Sequence, residues 1–78
     1  MQTIDARAMS YPMPVMMASK ALIQGCTELT VFVSDILSVE SLTQLAGEAF
    51  SVEVAQKDGT FAVVFKAKAQ ESGQADGE

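Results

Sequence analysis

Two prolines two residues apart, Pro12 and Pro14, stand just before an apolar segment that contains no further proline. A proline fits the first turn of a helix because the amide hydrogen that it lacks has no partner within the helix at that position. The sequence therefore predicts that a first helix begins here, with Ser10 or Tyr11 near its cap, and runs to about Gln24. A helix start concentrates free amides and positive dipole, and it can therefore hold an anion or activate a thiol.

The rest of the chain alternates between strand and helix patterns. Residues 2–6 form a short strand-like run, and residues 28–34 have the apolar, β-branched character of a central strand. Residues 38–49 have helical spacing, with an apolar face formed by Val39, Leu42, Leu45 or Ala46, and Ala49. Two further strands, at 51–56 and 61–66, flank an Asp58-Gly59 pair that favours a tight hairpin.

This β-α-β-α-β-β order predicts an α/β fold of the two-layer (α+β) sandwich type, with two helices on one face of a four-stranded mixed sheet. The first two strands are expected to be parallel and the closing hairpin antiparallel. The other sheet face is left open, and we expect it to present Thr30, Phe32, Ala62 and Val64. Residues 1–68 form this domain, whereas residues 69–78 lack large apolar side chains and are expected to be a disordered acidic tail.

The composition argues against several classes of function. Within residues 1–68, five basic residues face seven acidic ones, so no basic stripe for nucleic acid is expected. The chain has no histidine, which removes imidazole bases and histidine metal sites, and its one cysteine cannot form an internal disulfide. No apolar run reaches the ~18 residues that span a bilayer, and no secretory signal is apparent. We therefore expect a cytoplasmic protein without a metal or a cofactor.

The run from Ile4-Asp5 to Tyr11-Pro12-Met13-Pro14 resembles the opening of the TusA/SirA-like sulfur-carrier family, which includes the N-terminal domain of YedF-type proteins. In that family a short strand and an aspartate precede Cys-Pro-x-Pro at the start of the first helix. The similarity covers about residues 2–67. It continues through Lys20-Ala21-Leu22, a strand ending in an aspartate at Asp35, Ser38-Val39-Glu40 and the closing Asp-Gly hairpin.

The resemblance implies a function through the residue before the first proline. In the family this is a cysteine that carries a persulfide from a cysteine desulfurase to acceptors, and the chemistry needs an exposed, activated thiolate. Here that position is Tyr11, and Ala8 stands in place of a family glycine. A phenol cannot take up a sulfane sulfur. The resemblance therefore implies a non-catalytic binding or regulatory module linked to sulfur or selenium metabolism. We expect such a module to have a protein partner from a sulfur-transfer or regulatory pathway and to bind it through Tyr11, Pro12, Met13 and Pro14.

Two alternatives remain open at this point. Cys26 could be a relocated sulfur acceptor, which would make the protein an active sulfur carrier, or sulfurtransferase. Cys26 follows the end of the first helix, where the dipole disfavours a thiolate, and a small residue packed at a helix-strand junction is the simpler interpretation. The second alternative is a nucleic-acid or translation-linked module, because the element order is similar to the C-terminal domain of the third bacterial translation initiation factor. The mildly acidic charge weighs against it.

Two further groups of side chains are candidates for a site. Four methionines surround the proline motif and could form ordinary packing, an apolar contact surface or a soft-metal site: Met9, Met13, Met16 and Met17. Asp5, Arg7 and Asp35 stand at strand ends, where an Asp5-Arg7 or Arg7-Asp35 ion pair is expected. Acid-base catalysis by the two carboxylates lacks a nucleophile or a histidine base to work with.

Overall fold

A computed structural model of the chain describes residues 2–68. It contains four strands and two helices in the predicted order: β1 (Gln2–Asp5), α1 (Met13–Ile23), β2 (Glu28–Val33), α2 (Ile36–Ala46), β3 (Phe50–Lys57) and β4 (Thr60–Ala67). The predicted acidic tail, residues 69–78, lies outside the described residues.

The four strands form one mixed sheet in the spatial order β1-β2-β4-β3. β1 and β2 are parallel, and β4 is antiparallel to both β2 and β3, as predicted. The β3-β4 turn has two residues, Asp58 and Gly59, with φ of 51° and 79°. Positive φ at both positions is the requirement of the type I′ turn, which explains why the Asp-Gly pair stands there.

The sheet buries one face under the two helices. Leu29, Val31 and Val33 of β2 are fully buried, whereas the residues between them are only half-buried. The register places Phe32 opposite Ala62, and Thr30 opposite Val64. These four side chains therefore share the open face, and the predicted assignment of the two faces is confirmed.

The predicted bounds of the second helix are wrong at both ends. α2 begins two residues early, at Ile36, because the Asp35 carboxylate caps it by accepting hydrogen bonds from the Ser38 amide and hydroxyl, each at 2.9 Å. It ends at Ala46, where Gly47 has a φ of 54°. Ala49, placed on the apolar face by its spacing, is exposed beyond the helix.

The inner face of α1 differs in part from its prediction. Ala18 and Ala21 are buried against the sheet, and Val15 and Leu22 pack beside them. Small side chains at this contact let the helix backbone approach the sheet closely, so these alanines matter more than their hydrophobicity suggested. Helical spacing in the sequence places Val15, Ala18 or Ser19, and Leu22 on one face of α1, with Met16 and Ile23 beside them. In the structure Met16 and Ile23 are exposed.

Candidate functional site

The start of α1 is built by a proline cap. Pro12 occupies the N-cap position without any side-chain hydrogen bond, Pro14 lies in the first turn, and the Tyr11–Pro12 peptide bond is cis. The cap is the residue directly after Tyr11, so the prediction that Ser10 or Tyr11 lies near the cap is confirmed. Ser10 contributes through its backbone, because its carbonyl accepts a hydrogen bond from the Met13 amide at 2.9 Å.

This helix start has few amides to offer. Pro12 and Pro14 have no N–H, and the Met13 N–H is bound to Ser10. The Met16 N–H is bound to the Pro12 carbonyl at 3.0 Å. Within residues 2–68, the Val15 N–H is the one amide of this first turn left without a hydrogen-bond acceptor. The proline motif suggested an anion site, but most of the N–H donors that such a site needs are either missing or already hydrogen-bonded.

Tyr11 presents its phenol to solvent. The side chain is 49% exposed, and its oxygen lies 3.5 Å from the Ser41 hydroxyl of α2, beyond the usual range of O–H···O bonds. Leu37 lies one helical turn before Ser41 and is 58% exposed. The phenol is therefore held only weakly against α2.

Three methionines extend this region. We call the exposed side chains the tyrosine-methionine surface: Met9, Tyr11, Met13 and Met16. Met17 is half-buried against the core, so it is a packing residue. Along α1, Met16 also borders a shallow groove of about 550 Å³ between the two helices, which reaches Ile23 and Leu45. Apolar exposure therefore runs along the outer side of α1.

The two prolines differ in their exposure. Pro12 is exposed, whereas Pro14 is among the fully buried side chains. Of the four residues predicted to bind a partner, Tyr11, Pro12 and Met13 are accessible for contact. Pro14 supports the helix start from the core.

Asp5 and Arg7 form the expected ion pair. The Arg7 Nη2 and Nε atoms each lie 2.8 Å from a carboxylate oxygen of Asp5, and both side chains are exposed. The hydrogen bonds from Arg7, first from its side chain and then from its backbone, lower the pKa of Asp5 to about 2, and the same pairing raises the pKa of Arg7. The alternative Arg7-Asp35 pair is absent from the described residues, where Asp35 instead caps α2.

Cys26 lies beyond the opposite end of α1 from Tyr11. The helix has 11 residues, so its two ends are about 16 Å apart. The thiol is half-buried at the edge of the core and donates a hydrogen bond to the Glu28 carbonyl at 3.0 Å. This placement agrees with packing at the helix-strand junction and keeps the thiol away from the proline motif.

A concave area on the open sheet face was not singled out from the sequence. It has a volume of about 630 Å³, and its lining includes Phe32, Ala62, Asp5, Arg7 and Lys57. The alternation of β2 and β4 predicted the open face, but its curvature depends on how the strands twist together. In the part of the chain that the structure describes, no three carboxylate or cysteine side chains cluster as a metal site would require.

Comparison with known proteins bears on this arrangement. Neither a family model nor a curated protein matches the chain. A solved structure does, the crystal structure of a SirA-like protein from Desulfitobacterium hafniense, with 36% sequence identity and a TM-score of 0.78. The alignment covers 86% of this chain and 97% of that one. The chain belongs to the SirA-like proteins. The family resemblance and the fold inferred from the sequence are thus confirmed at this level.

This SirA-like chain has no transmembrane candidate in the region that the structure covers. Neither α1 nor α2 has the length and hydropathy that crossing a bilayer requires. Each helix is 11 residues long.

Proposed function

We propose that this SirA-like protein is a non-catalytic binding or regulatory module linked to sulfur or selenium metabolism. The observation that carries the proposal is Tyr11. It is a half-exposed phenol directly before Pro12 at the start of α1, where the sequence motif of the family has its cysteine. Persulfide transfer needs an accessible thiolate, and a phenol has no sulfur with which to perform it.

The helix start supports a contact role. Tyr11, Met13 and Met16 are all exposed there, so the surroundings of the proline motif are largely apolar. Tyrosine is enriched in protein interfaces and methionine adapts its shape to a partner, so the tyrosine-methionine surface suits a protein contact.

The partner that we propose is a protein of a sulfur-transfer or regulatory pathway in the cytoplasm. It presents an apolar patch to Tyr11 and Met13, with a polar group able to reach the phenol oxygen. The Ser41 hydroxyl, 3.5 Å away, leaves that oxygen available for a shorter hydrogen bond.

Sulfur transfer from a cysteine desulfurase tests the absence of carrier activity. The full chain is incubated with the desulfurase and ³⁵S-cysteine, and protein-bound label is measured without reductant. We expect no label on the wild-type chain. The variant Tyr11→Cys is the matched control, because it places an exposed thiol at the start of α1, and we expect it to take up label.

The location of any label distinguishes the proposal from its main alternative. Label on the wild-type chain that disappears in Cys26→Ser would overturn the proposal and establish Cys26 as a sulfur acceptor. The hydrogen bond from Cys26 to the Glu28 carbonyl and its half-buried position favour the unlabelled result.

Affinity purification from the native cell tests the binding surface. We expect the double variant Tyr11→Ser/Met13→Ser to lose a protein that the wild-type chain retains. Ile36→Ser is the matched control, because Ile36 is an apolar side chain that is 53% exposed and lies outside the tyrosine-methionine surface. Equal recovery with all three chains would contradict the assignment of the surface.

A further inference from the structure

The outer edge of β3 is a second, independent surface. β3 is eight residues long and lies at the end of the sheet, with β4 as its one neighbouring strand among residues 2–68. Residues 53–57 are all exposed. Natural proteins usually shorten, bend or cover such an edge, because its unpaired backbone groups can pair with another strand.

The hairpin fixes which backbone groups point outward. In a two-residue type I′ hairpin, the residues that flank the turn, here Lys57 and Thr60, form a hydrogen-bonded pair. Alternation along the strand then directs the amides and carbonyls of Lys57, Ala55 and Glu53 towards β4. Those of Gln56 and Val54 point away from the sheet, where another strand can pair with them.

The charged side chains on this edge indicate which strand can pair with it. Glu53 and Lys57 lie on the same sheet face, two positions to either side of Ala55. Among the described residues the one ion pair is Asp5-Arg7, so neither Glu53 nor Lys57 has an opposite charge within 4 Å there. We propose that the β3 edge pairs antiparallel with β3 of a second copy of this chain, with Ala55 opposite Ala55 on the two-fold axis.

Only this register both pairs the outward-pointing backbone groups and places opposite charges across from each other. The outward-pointing residues require Val54 to face Gln56 of the second copy, which places Glu53 opposite Lys57 twice. A shift that centres the axis on Val54 leaves Glu53 facing Ala55, and a shift to Glu53 opposes two carboxylates. The Glu53-Lys57 pairs fall at positions without hydrogen bonds between the strands, where side chains approach most closely.

The pairing yields a continuous eight-stranded sheet with a weak, concentration-dependent interface. A single strand pair is small by the standard of stable dimers. Alanine on the axis presents no steric obstacle, and Val54, which is 46% exposed, gains a neighbour. The concave area lined by Ala55, Gln56 and Lys57 then lies beside its symmetry mate.

Charge-reversal variants test the proposal, and sedimentation equilibrium of the full chain at concentrations up to about 1 mM measures its self-association. We expect the wild-type chain to dimerise. Glu53→Lys and Lys57→Glu should each weaken the self-association constant by at least roughly fourfold, because each converts two attractive pairs into repulsive ones. An equimolar mixture of the two variants should dimerise again, since the new lysine of one variant and the new glutamate of the other restore pairs of opposite charge.

Matched controls separate this pairing from the net charge. Glu40→Lys and Lys20→Glu change the net charge by the same amounts at exposed helical positions, and we expect them to leave the association unchanged. Amide hydrogen exchange tests the register, because the Val54 and Gln56 amides should gain protection with concentration, whereas Ala55 is protected throughout. A chain that stays monomeric, or a mixture of variants that fails to associate, would overturn the proposal.

Discussion

Replacing Leu42 with alanine tests the packing of the helical layer on the sheet. Leu42 lies in the middle of α2 and is 0% exposed, within one cluster with Val31, Val63 and Phe65. The substitution keeps the helix, because alanine has the highest helix propensity, so its effect reports on burial.

The expected loss follows from the removed carbon atoms. Three buried carbons at ~0.8 kcal/mol each give about 2.4 kcal/mol for transfer to water. The residual cavity adds to this, so the total is expected at about 2–5 kcal/mol. A small domain has a free energy of unfolding of order 5 kcal/mol, so this change removes a large part of it.

Urea unfolding followed by circular dichroism measures the change. With a slope of ~1 kcal/mol/M for a small domain, the midpoint should fall by about 2 M or more at an unchanged slope. Leu37→Ala is the matched control on the same helix, because Leu37 is 58% exposed, and it should change stability by less than ~0.5 kcal/mol. A similarly small loss for Leu42→Ala would refute the assignment of the buried face.

Two other features of the site region make measurable predictions. Asp35→Ala removes the hydrogen-bond acceptor of the Ser38 amide and of the fully buried Ser38 hydroxyl, so thermal unfolding should show that the free energy of unfolding falls by about 1–3 kcal/mol. Asp35→Asn should retain more stability, because asparagine also caps helices. NMR titration should find the Asp5 pKa at about 2 in the wild-type chain and closer to its ordinary value in Arg7→Gln. Because the pKa of Asp5 is lowered in the folded state, the pairing stabilises the fold above the unfolded pKa of ~3.9, and this stabilisation is lost as pH falls towards about 2. An unshifted Asp5 in the wild-type chain would contradict the pairing.

The sequence alone determined the order and type of the elements, because these depend on local chemistry. The period-two alternation in β2 fixed which of its side chains share a face, and the Asp58-Gly59 pair fixed the hairpin through its need for positive φ. Pro12 and Pro14 marked the start of α1 within a residue or two. The sequence also showed that the motif lacks its cysteine, since residue identity needs no fold.

The tertiary structure decided everything that depends on residues far apart in the chain. It buried Ala18 and Ala21 because the sheet approaches α1 at those positions. It brought Tyr11 beside Ser41 of α2, 30 residues later, and left Cys26 at the far end of the helix. Contacts of this kind depend on how layers pack together, which no local pattern encodes.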